Sequence, residues 1–418
     1  MKIVFVNRYF HPDQSATSRV LSSLVFSLAE RGLDVWALAS RDIHNKSGVQ
    51  LAPEEMVNGV KIRRLASGKF GRHSLLGRSV DYALFHILAF FWLMRNVSVG
   101  DMVVVCTDPP LLSVSTSIAL RIKGAVMTNW IMDLFPETAI ELGFFKHARW
   151  LGRWVVKARN WSLGAPGITV CPTEKMAEYL IREGVSPDRV TVMHHWSDGE
   201  EIYPVAASEN ALRVKWGLRD AFVVGYSGNF GRAHDFNTII EAAQRLRHRS
   251  DIRFLLIGGG HQHSAVVEAA RNLDLDNLIF KPLQPASDLA SSLSVADVHL
   301  VSLLPELEHC IIPSKFYGIL AAGRPTIFIG DLDGEVPRVL AAKGCGRAVP
   351  IGGAQQLAAL IEDMQQHPDA TAATGQAARR LMTDEYSREH AADAWCALIA
   401  RMQEAERLIP TLAQGALP

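Results

Sequence analysis

The sequence has little that would staple, span or coordinate. Its five cysteines, Cys106, Cys171, Cys310, Cys345 and Cys396, are odd in number and widely spaced, with no C-x-x-C pair. That excludes a disulfide framework and a cysteine zinc site, and it fits a reducing cytosol. No apolar run reaches the roughly twenty residues that a membrane span needs; the longest, 82–94, stops at thirteen. The amino terminus returns to polarity after Ile3, Val4, Phe5 and Val6, too soon for the apolar core of an export signal. Lys+Arg and Asp+Glu number 43 each, so the basic surplus of a wholesale nucleic-acid binder is missing. Acidic residues are absent from 61–80, where Lys61, Arg63, Arg64, Lys69, Arg72 and Arg78 fall.

What is present is a chain of 418 residues with 48% hydrophobic residues, enough for two domains with a core each. The neutral total hides an asymmetry. Residues 1–165 carry 20 Lys+Arg and 12 Asp+Glu, a surplus of +8, which the rest of the chain cancels. A basic segment followed by the aromatic-rich helix 82–94 has two readings, a buried crossover helix behind a solvated loop, or contact with an anionic membrane surface. The expectation taken forward is membrane contact through Arg63, Arg64, Lys69 and Arg72.

Short Val/Ile-rich runs alternate with helical segments, the pattern of parallel sheets covered on both faces. Strands are expected at 2–7, 35–39, 60–65, 102–106, 125–130, 168–171 and 190–194, and a second set at 222–226, 252–257, 278–280, 298–302 and 325–329. The fold class expected is α/β, with two doubly wound, Rossmann-like domains, 1–198 and 208–385, facing a central cleft that would hold the ligand. The long helical pattern at 389–408 would pack back onto the first domain.

Three segments carry phosphate chemistry. In 226–234, Gly228, Asn229, Gly231, Arg232 and His234 follow a strand and precede a helix, so backbone amides, a guanidinium and an imidazole could meet an anion; a plain tight turn would look the same. Gly258-Gly259-Gly260 repeats the arrangement. More specific is Pro313-Ser314-Lys315, continuing through Tyr317 to Gly323-Arg324-Pro325. A lysine in a helix's first turn is electrostatically misplaced unless it has an anion to meet. Asp331-Leu332-Asp333 has a metal-holding form but precedes a helix and reads as capping, so no metal is expected. In the first domain, Asp133 and Glu137 follow a strand end and are expected to face the cleft; Asp133 has two readings, a cap for the next helix or a carboxylate that stabilises a developing oxocarbenium ion.

Together these segments resemble the retaining glycosyltransferases of the two-domain GT-B fold, family four, and especially the bacterial surface-polysaccharide transferases of the WcaI and WbuB type. The matching pieces are Asp133-Leu134-Phe135-Pro136-Glu137, His194-His195-Trp196-Ser197-Asp198, Ser227-Gly228-Asn229-Phe230-Gly231, Ile257-Gly258-Gly259-Gly260 and the block from Pro313 to Pro325, in family order along essentially the whole chain. The resemblance implies a C-terminal domain that binds a nucleotide sugar, a UDP-sugar, and an N-terminal domain that receives a lipid-linked saccharide at the inner membrane face, with no cofactor. It makes Asp133, Lys315 and Arg232 the catalytic candidates, and puts Gly228, Asn229, Gly231, His234, Gly259, Lys281, Pro282, Pro313, Ser314 and Tyr317 on the donor. The chain departs from the family where two glutamates eight residues apart are usual. Those places hold Cys310 and Gly318, which leaves ribose recognition unassigned. Two other functions keep the same architecture, a nucleotide-sugar 2-epimerase or hydrolase and a noncatalytic sugar-binding protein.

Overall fold

The structure, a computed structural model, describes residues 1–44, 49–66, 75–146, 148–165 and 167–414. It divides into two compact units, Met1–His194 with Glu389–Pro418, and His195–Arg388.

The first unit contains β1 (Ile3–Val6), α1 (Ala16–Glu30), β2 (Val35–Ser40), β3 (Glu54–Val57), β4 (Val60–Leu65), α2 (Leu75–Asn96), β5 (Met102–Val105), α3 (Leu112–Lys123), β6 (Val126–Trp130), α4 (Glu137–Glu141), α5 (Arg149–Leu163), β7 (Thr169–Cys171), α6 (Glu174–Arg182) and β8 (Val190–Val192). Its sheet runs β3-β4-β2-β1-β5-β6-β7-β8, with the β3–β4 pair antiparallel. Asn58 and Gly59 close that hairpin with φ of 46° and 78°, the left-handed pair that a tight hairpin turn demands. β1 and β5 are wholly apolar and wholly buried because both sheet faces are covered. Val4, Val6, Val103 and Val105 point to the core shared with Phe85, Ala89, Ala119 and Leu120 of α2 and α3.

Phe5 and Trp130 belong to the opposite face. There Trp395 lies 6.1 Å from Phe5 and 4.9 Å from Trp130, ring centre to ring centre. Trp395 comes from the long last helix, and Arg31 at the end of α1 meets Asp393 of that helix at 3.1 Å.

The second unit contains α7 (Ala211–Lys215), β9 (Phe222–Asn229), α8 (Asn237–Arg245), β10 (Ile252–Gly259), α9 (His263–Asn272), β11 (Leu278–Lys281), α10 (Leu289–Ser294), β12 (Val298–Ser302), α11 (Lys315–Ala321), β13 (Thr326–Ile329), α12 (Glu335–Lys343), β14 (Gly346–Val349), α13 (Ala354–Gln366) and α14 (Pro368–Glu385); the last helix, α15, spans Arg388–Gln414. All pairs in its sheet, β11-β10-β9-β12-β13-β14, are parallel. The chain winds outward from β9 in one direction and from β12 in the other. Ligands of such sheets bind at the carboxyl ends of the strands where the winding reverses, here the end of β9.

Residues 195–207, at and between the expected domain bounds, belong to the second unit. Ser197 forms a bridge with Ser387, Arg379 donates to the carbonyl of Ile202 at 3.0 Å, and Arg324 donates to that of Val205 at 2.8 Å. The division between units therefore falls at 194/195.

Candidate functional site

At the carboxyl end of β9 two glycine loops are stitched together. Phe230 N donates to Gly259 O at 2.8 Å and Gln262 N to Phe230 O at 2.9 Å. The Gln262 side-chain amide adds bonds to the carbonyls of Gly231 and His234 at 2.6 and 3.0 Å. Only glycine fits at two points. Gly258 has φ of +139°, and a Cβ there would stand 2.0 Å from Gly228 O; Gly260 has φ of +140°, and its Cβ would stand 2.2 Å from Asn229 Oδ1.

Lys315, the first residue of α11, reaches into this corner. Its Nζ donates to Tyr226 Oη at 2.6 Å and sits 3.9 Å from the centre of the Tyr226 ring. Tyr226 is itself held, its hydroxyl donating to Asn229 O at 2.8 Å. Burial pushes the Lys315 ammonium down from 10.5 to about 7. A cation held over an aromatic face in a partly desolvated corner has a strong drive to meet an anion.

His234 turns out differently from expectation. Its Nδ1 donates to the carbonyl of Ser302 at 2.5 Å, and burial, aided by Lys315, lowers its pKa to about 3. The imidazole is neutral with Nε2 as an acceptor, so it offers a hydroxyl a partner and a phosphate none. Arg232 Nη2 donates to His261 Nε2 at 2.6 Å on the exposed rim of the same loop.

The other expected donor residues spread further. Gly228 faces the Lys315 side chain, Asn229 and Gly259 are exposed at their strand ends, and Ser314 is exposed at the start of α11 while Pro313 is buried. Tyr317 is a correction. It is 2% exposed, its ring lies 6.0 and 5.2 Å from those of His195 and Tyr386, and its hydroxyl is hydrogen-bonded to the backbone of His195, which leaves it turned into the protein. Lys281 ends β11, two strands from β9, where its Nζ lies 5.8 Å from the Trp216 ring; Pro282 follows it, exposed. The pair Asp331 and Asp333 does not cap with its side chains either. Gly334 occupies the cap position of α12, and Asp333 holds Arg338 through two bonds of 3.0 and 2.9 Å.

In the first unit, Asp133 follows β6 and opens into a recess of about 40 Å³ lined also by Asn129, Thr107, Phe135 and Arg159. Asp133 is exposed toward this recess, and the protein packed around its carboxyl raises it from 3.8 to about 6. Asn129 Oδ1 is buried there without a hydrogen-bond partner. A volume of that order admits a water-sized group, and the two side chains would accept a hydroxyl proton. Glu137 does not join Asp133 as expected. It is buried, paired with Arg159, and accepts from the Tyr179 hydroxyl at 3.0 Å.

The winding of this sheet reverses between β1 and β5. There Arg8 lies within 3.9 and 4.0 Å of Asp42 and Asp81, and its amide donates to Asp108 O at 2.7 Å. Burial raises Asp108 to about 6, against the pull of Arg8 and with the help of Asp13.

Two of the residues expected to meet a membrane, Arg63 and Arg64, are already paired within the strand expected at 60–65. Arg63 and Arg64 lie in β4. Arg63 pairs with Glu54, while Arg64 is 2% exposed and spends its guanidinium on Glu55 at 2.6 Å and His11 O at 2.9 Å. Lys69 and Arg72 lie outside the described residues.

Sequence reasoning missed Tyr226, Gln262 and Asn129. Tyr226 had a signal, a phenol inside a largely apolar strand and two residues before Gly228, hence on the same face. A larger concavity of about 810 Å³ lies at the amino ends of β9, β12 and β13, the end away from the ligand loops. Two of its arginines, Arg324 and Arg379, are committed to the backbone carbonyls at 205 and 202.

Two doubly wound parallel-sheet units, with the last helix returning to the first, define the GT-B class of fold. Residues 208–381 match the family described as glycosyl transferases group 1. The putative colanic acid biosynthesis glycosyl transferase WcaI of Escherichia coli K12 is 32% identical over 161 residues, 38% of this chain and 39% of that one. The chain thus aligns with well under half the length of that relative. The probable glycosyltransferase WbjE of Pseudomonas aeruginosa is 24% identical over 294 residues, 70% of this chain and 73% of that one. Among solved structures, Anabaena HepE in complex with UDP-glucose superposes with a TM-score of 0.70 at 14% identity, covering 97% of this chain and 100% of that one. Residues 208–381 thus carry the match to the glycosyl transferases group 1 family, and the fold of the chain is GT-B.

Proposed function

We propose that the protein is a retaining glycosyltransferase that moves a sugar from a nucleotide diphosphate sugar, a UDP-sugar, to a lipid-linked saccharide in bacterial surface-polysaccharide biosynthesis, working at the inner face of the cell membrane. The observation that carries this reading is Lys315, held over Tyr226 beside Gly228 at the end of β9. The complex of HepE with UDP-glucose and the colanic acid role in the name of WcaI support the donor and the pathway class.

In this reading the bond between the anomeric carbon and the β-phosphate oxygen breaks. Lys315 and Arg232 meet the charge that develops on the diphosphate, and an acceptor hydroxyl forms the new bond from the same side, its proton passing to the departing phosphate oxygen. Asp133 and Asn129, with an acceptor oxygen each toward the recess, would orient that hydroxyl. His234 Nε2 accepts from a hydroxyl of the donor.

The test is release of nucleoside diphosphate from a panel of UDP-sugars, with and without lipid-linked saccharide. Acceptor-dependent release supports transfer. Equal release without acceptor favours the hydrolase, interconversion of the donor favours the epimerase, and binding without turnover favours the noncatalytic reading, which the absent glutamate pair at Cys310 and Gly318 gives its ground.

A further inference from the structure

The helices α2, α3 and α5 form one layer on the first unit's sheet, joined by the contact of His86 with Ser115 at 2.7 Å and of Ser162 with Ser113 at 2.8 Å. Their inner faces fill the core. Their outer faces are unusual. On α5, Trp150, Trp154, Lys157 and Trp161 follow at intervals of four, three and four residues, which puts them on one stripe of the helix. The three tryptophans are 67%, 64% and 48% exposed, where side chains of that size are ordinarily covered. Ile118 and Ile122 of α3 and Ile87 and Phe91 of α2 extend the apolar surface.

Cations are interleaved with these rings. Lys157 Nζ lies 5.5 Å from the Trp154 ring, the Arg121 guanidinium 5.0 Å from the Trp161 ring, and Arg149, Arg153 and Arg95 are exposed. Neither α3 nor α5 contains an Asp or Glu, and the one acid of α2, Asp81, is buried.

We propose that this face, centred on α5, is the surface by which the protein lies on an anionic phospholipid bilayer, with the tryptophans at headgroup depth and Arg149, Arg153, Lys157 and Arg121 on lipid phosphates. Tryptophan favours the membrane interface because its ring is apolar and its N–H polar, and a helix with aromatic and cationic residues on one side lies in the interface plane. No described helix is long and apolar enough to cross a membrane, which leaves surface contact. A second copy of the chain is a poor occupant. A two-fold interface would set this cation-rich face against its own copy, and α3 and α5 carry no acid to answer it. The inference rests on the reading that the acceptor is carried in a lipid, and its test is separable from that reading.

Full-length protein is mixed with phosphatidylethanolamine vesicles with and without phosphatidylglycerol, and cosedimentation and tryptophan emission are followed as salt is raised. Binding is expected only with phosphatidylglycerol, with a blue shift, and weakening with salt. Joint Arg149→Gln, Arg153→Gln and Lys157→Gln substitution removes three headgroup contacts and is expected to lower affinity on the order of a hundredfold. Trp154→Ser with Trp161→Ser abolishes the blue shift. Arg63→Gln, whose guanidinium already faces Glu54, leaves binding unchanged. Unaltered far-ultraviolet circular dichroism and unaltered turnover of a water-soluble acceptor show that the variants are folded.

If the triple variant binds phosphatidylglycerol vesicles as the parent does, or if the tryptophan variant turns a self-associating parent into a monomer that never bound vesicles, the proposal is overturned. A protein that transfers sugar in detergent and ignores anionic vesicles sinks the surface and leaves the enzyme standing. Vesicle binding through α5 without any transfer does the reverse.

Discussion

Donor affinity is expected to fall as pH rises through 7, and Lys315 is the reason. Burial penalises the charged form of an amine, so its ammonium, lowered to about 7, is protonated below that pH and neutral above it in the free protein. A nucleotide sugar carries a diphosphate diester with no phosphate group titrating in this range, and it finds a cation at Lys315 only when the proton is there. For a pKa of about 7 the protonated fraction is about 0.9 at pH 6 and about 0.1 at pH 8, so affinity drops about tenfold between them. Binding at pH 8 then draws about 0.9 of a proton from the buffer, because the bound diphosphate restores the charged form. His234, near 3, is neutral throughout and contributes no slope. The assay is calorimetric titration with UDP-sugars in two buffers of different ionisation enthalpy. Lys315→Met is expected to bind weakly at all three of pH 6, 7 and 8, to take up no proton, and to lose about 2–4 kcal/mol of transition-state stabilisation, roughly a 30- to 900-fold fall in turnover. A flat affinity profile for the parent, or an unchanged slope in Lys315→Met, refutes the reasoning.

Gly258→Ala forces a Cβ to within 2.0 Å of Gly228 O at φ +139°; strain of that kind costs about 1–3 kcal/mol, and both a lower melting temperature and weaker donor binding are expected by calorimetry. Asp133→Asn replaces a carboxyl that the fold holds near 6 against 3.8. The folded state binds the extra proton between pH 4 and 6, so this group's penalty is absent below about 4 and complete above about 6; the variant is expected to melt higher than the parent at pH 7, equally at pH 4, and to transfer sugar more slowly. Arg159→Ala strands buried Glu137, a loss of about 3–5 kcal/mol to be read by denaturant unfolding. Chelation is expected to leave turnover unchanged, because Asp333 is held by Arg338; loss of activity with EDTA and its return with Mg or Mn would overturn that assignment.

The alternation of strand and helix was legible because parallel strands buried on both faces are continuous apolar runs, as β1 and β5 are. The glycine loops were legible for a similar reason, since Gly258 and Gly260 stand where no other residue fits. What could not be read were relations between distant residues. Nothing near Lys315 in the chain announces Tyr226, 89 residues away, and the run Asp133 to Glu137 looks like two carboxylates on one loop until α5 and α6 bring Arg159 and Tyr179 to the second of them. The same holds for His234, whose tautomer is set by a carbonyl on β12.

The two basic surfaces of the first unit show where that boundary lies. Along the chain, 61–80 has six cations and no acid, but a strand's neighbours are across the ladder. The β3–β4 hairpin sets Glu54 opposite Arg63 and Glu55 opposite Ile62, and these two acids, lying just before the acid-free window, take up Arg63 and Arg64. On a helix the neighbours of a residue are three and four positions away in the chain itself, so an acid-free helical stretch is acid-free in space over its own surface. Arg149-Trp150-Leu151-Gly152-Arg153-Trp154-Val155-Val156-Lys157 is such a stretch, and its cations and rings stand exposed together. Charge counted along a sequence therefore predicts an unpaired surface where the segment is helical, and where it is a strand it predicts little until the ladder partner is known.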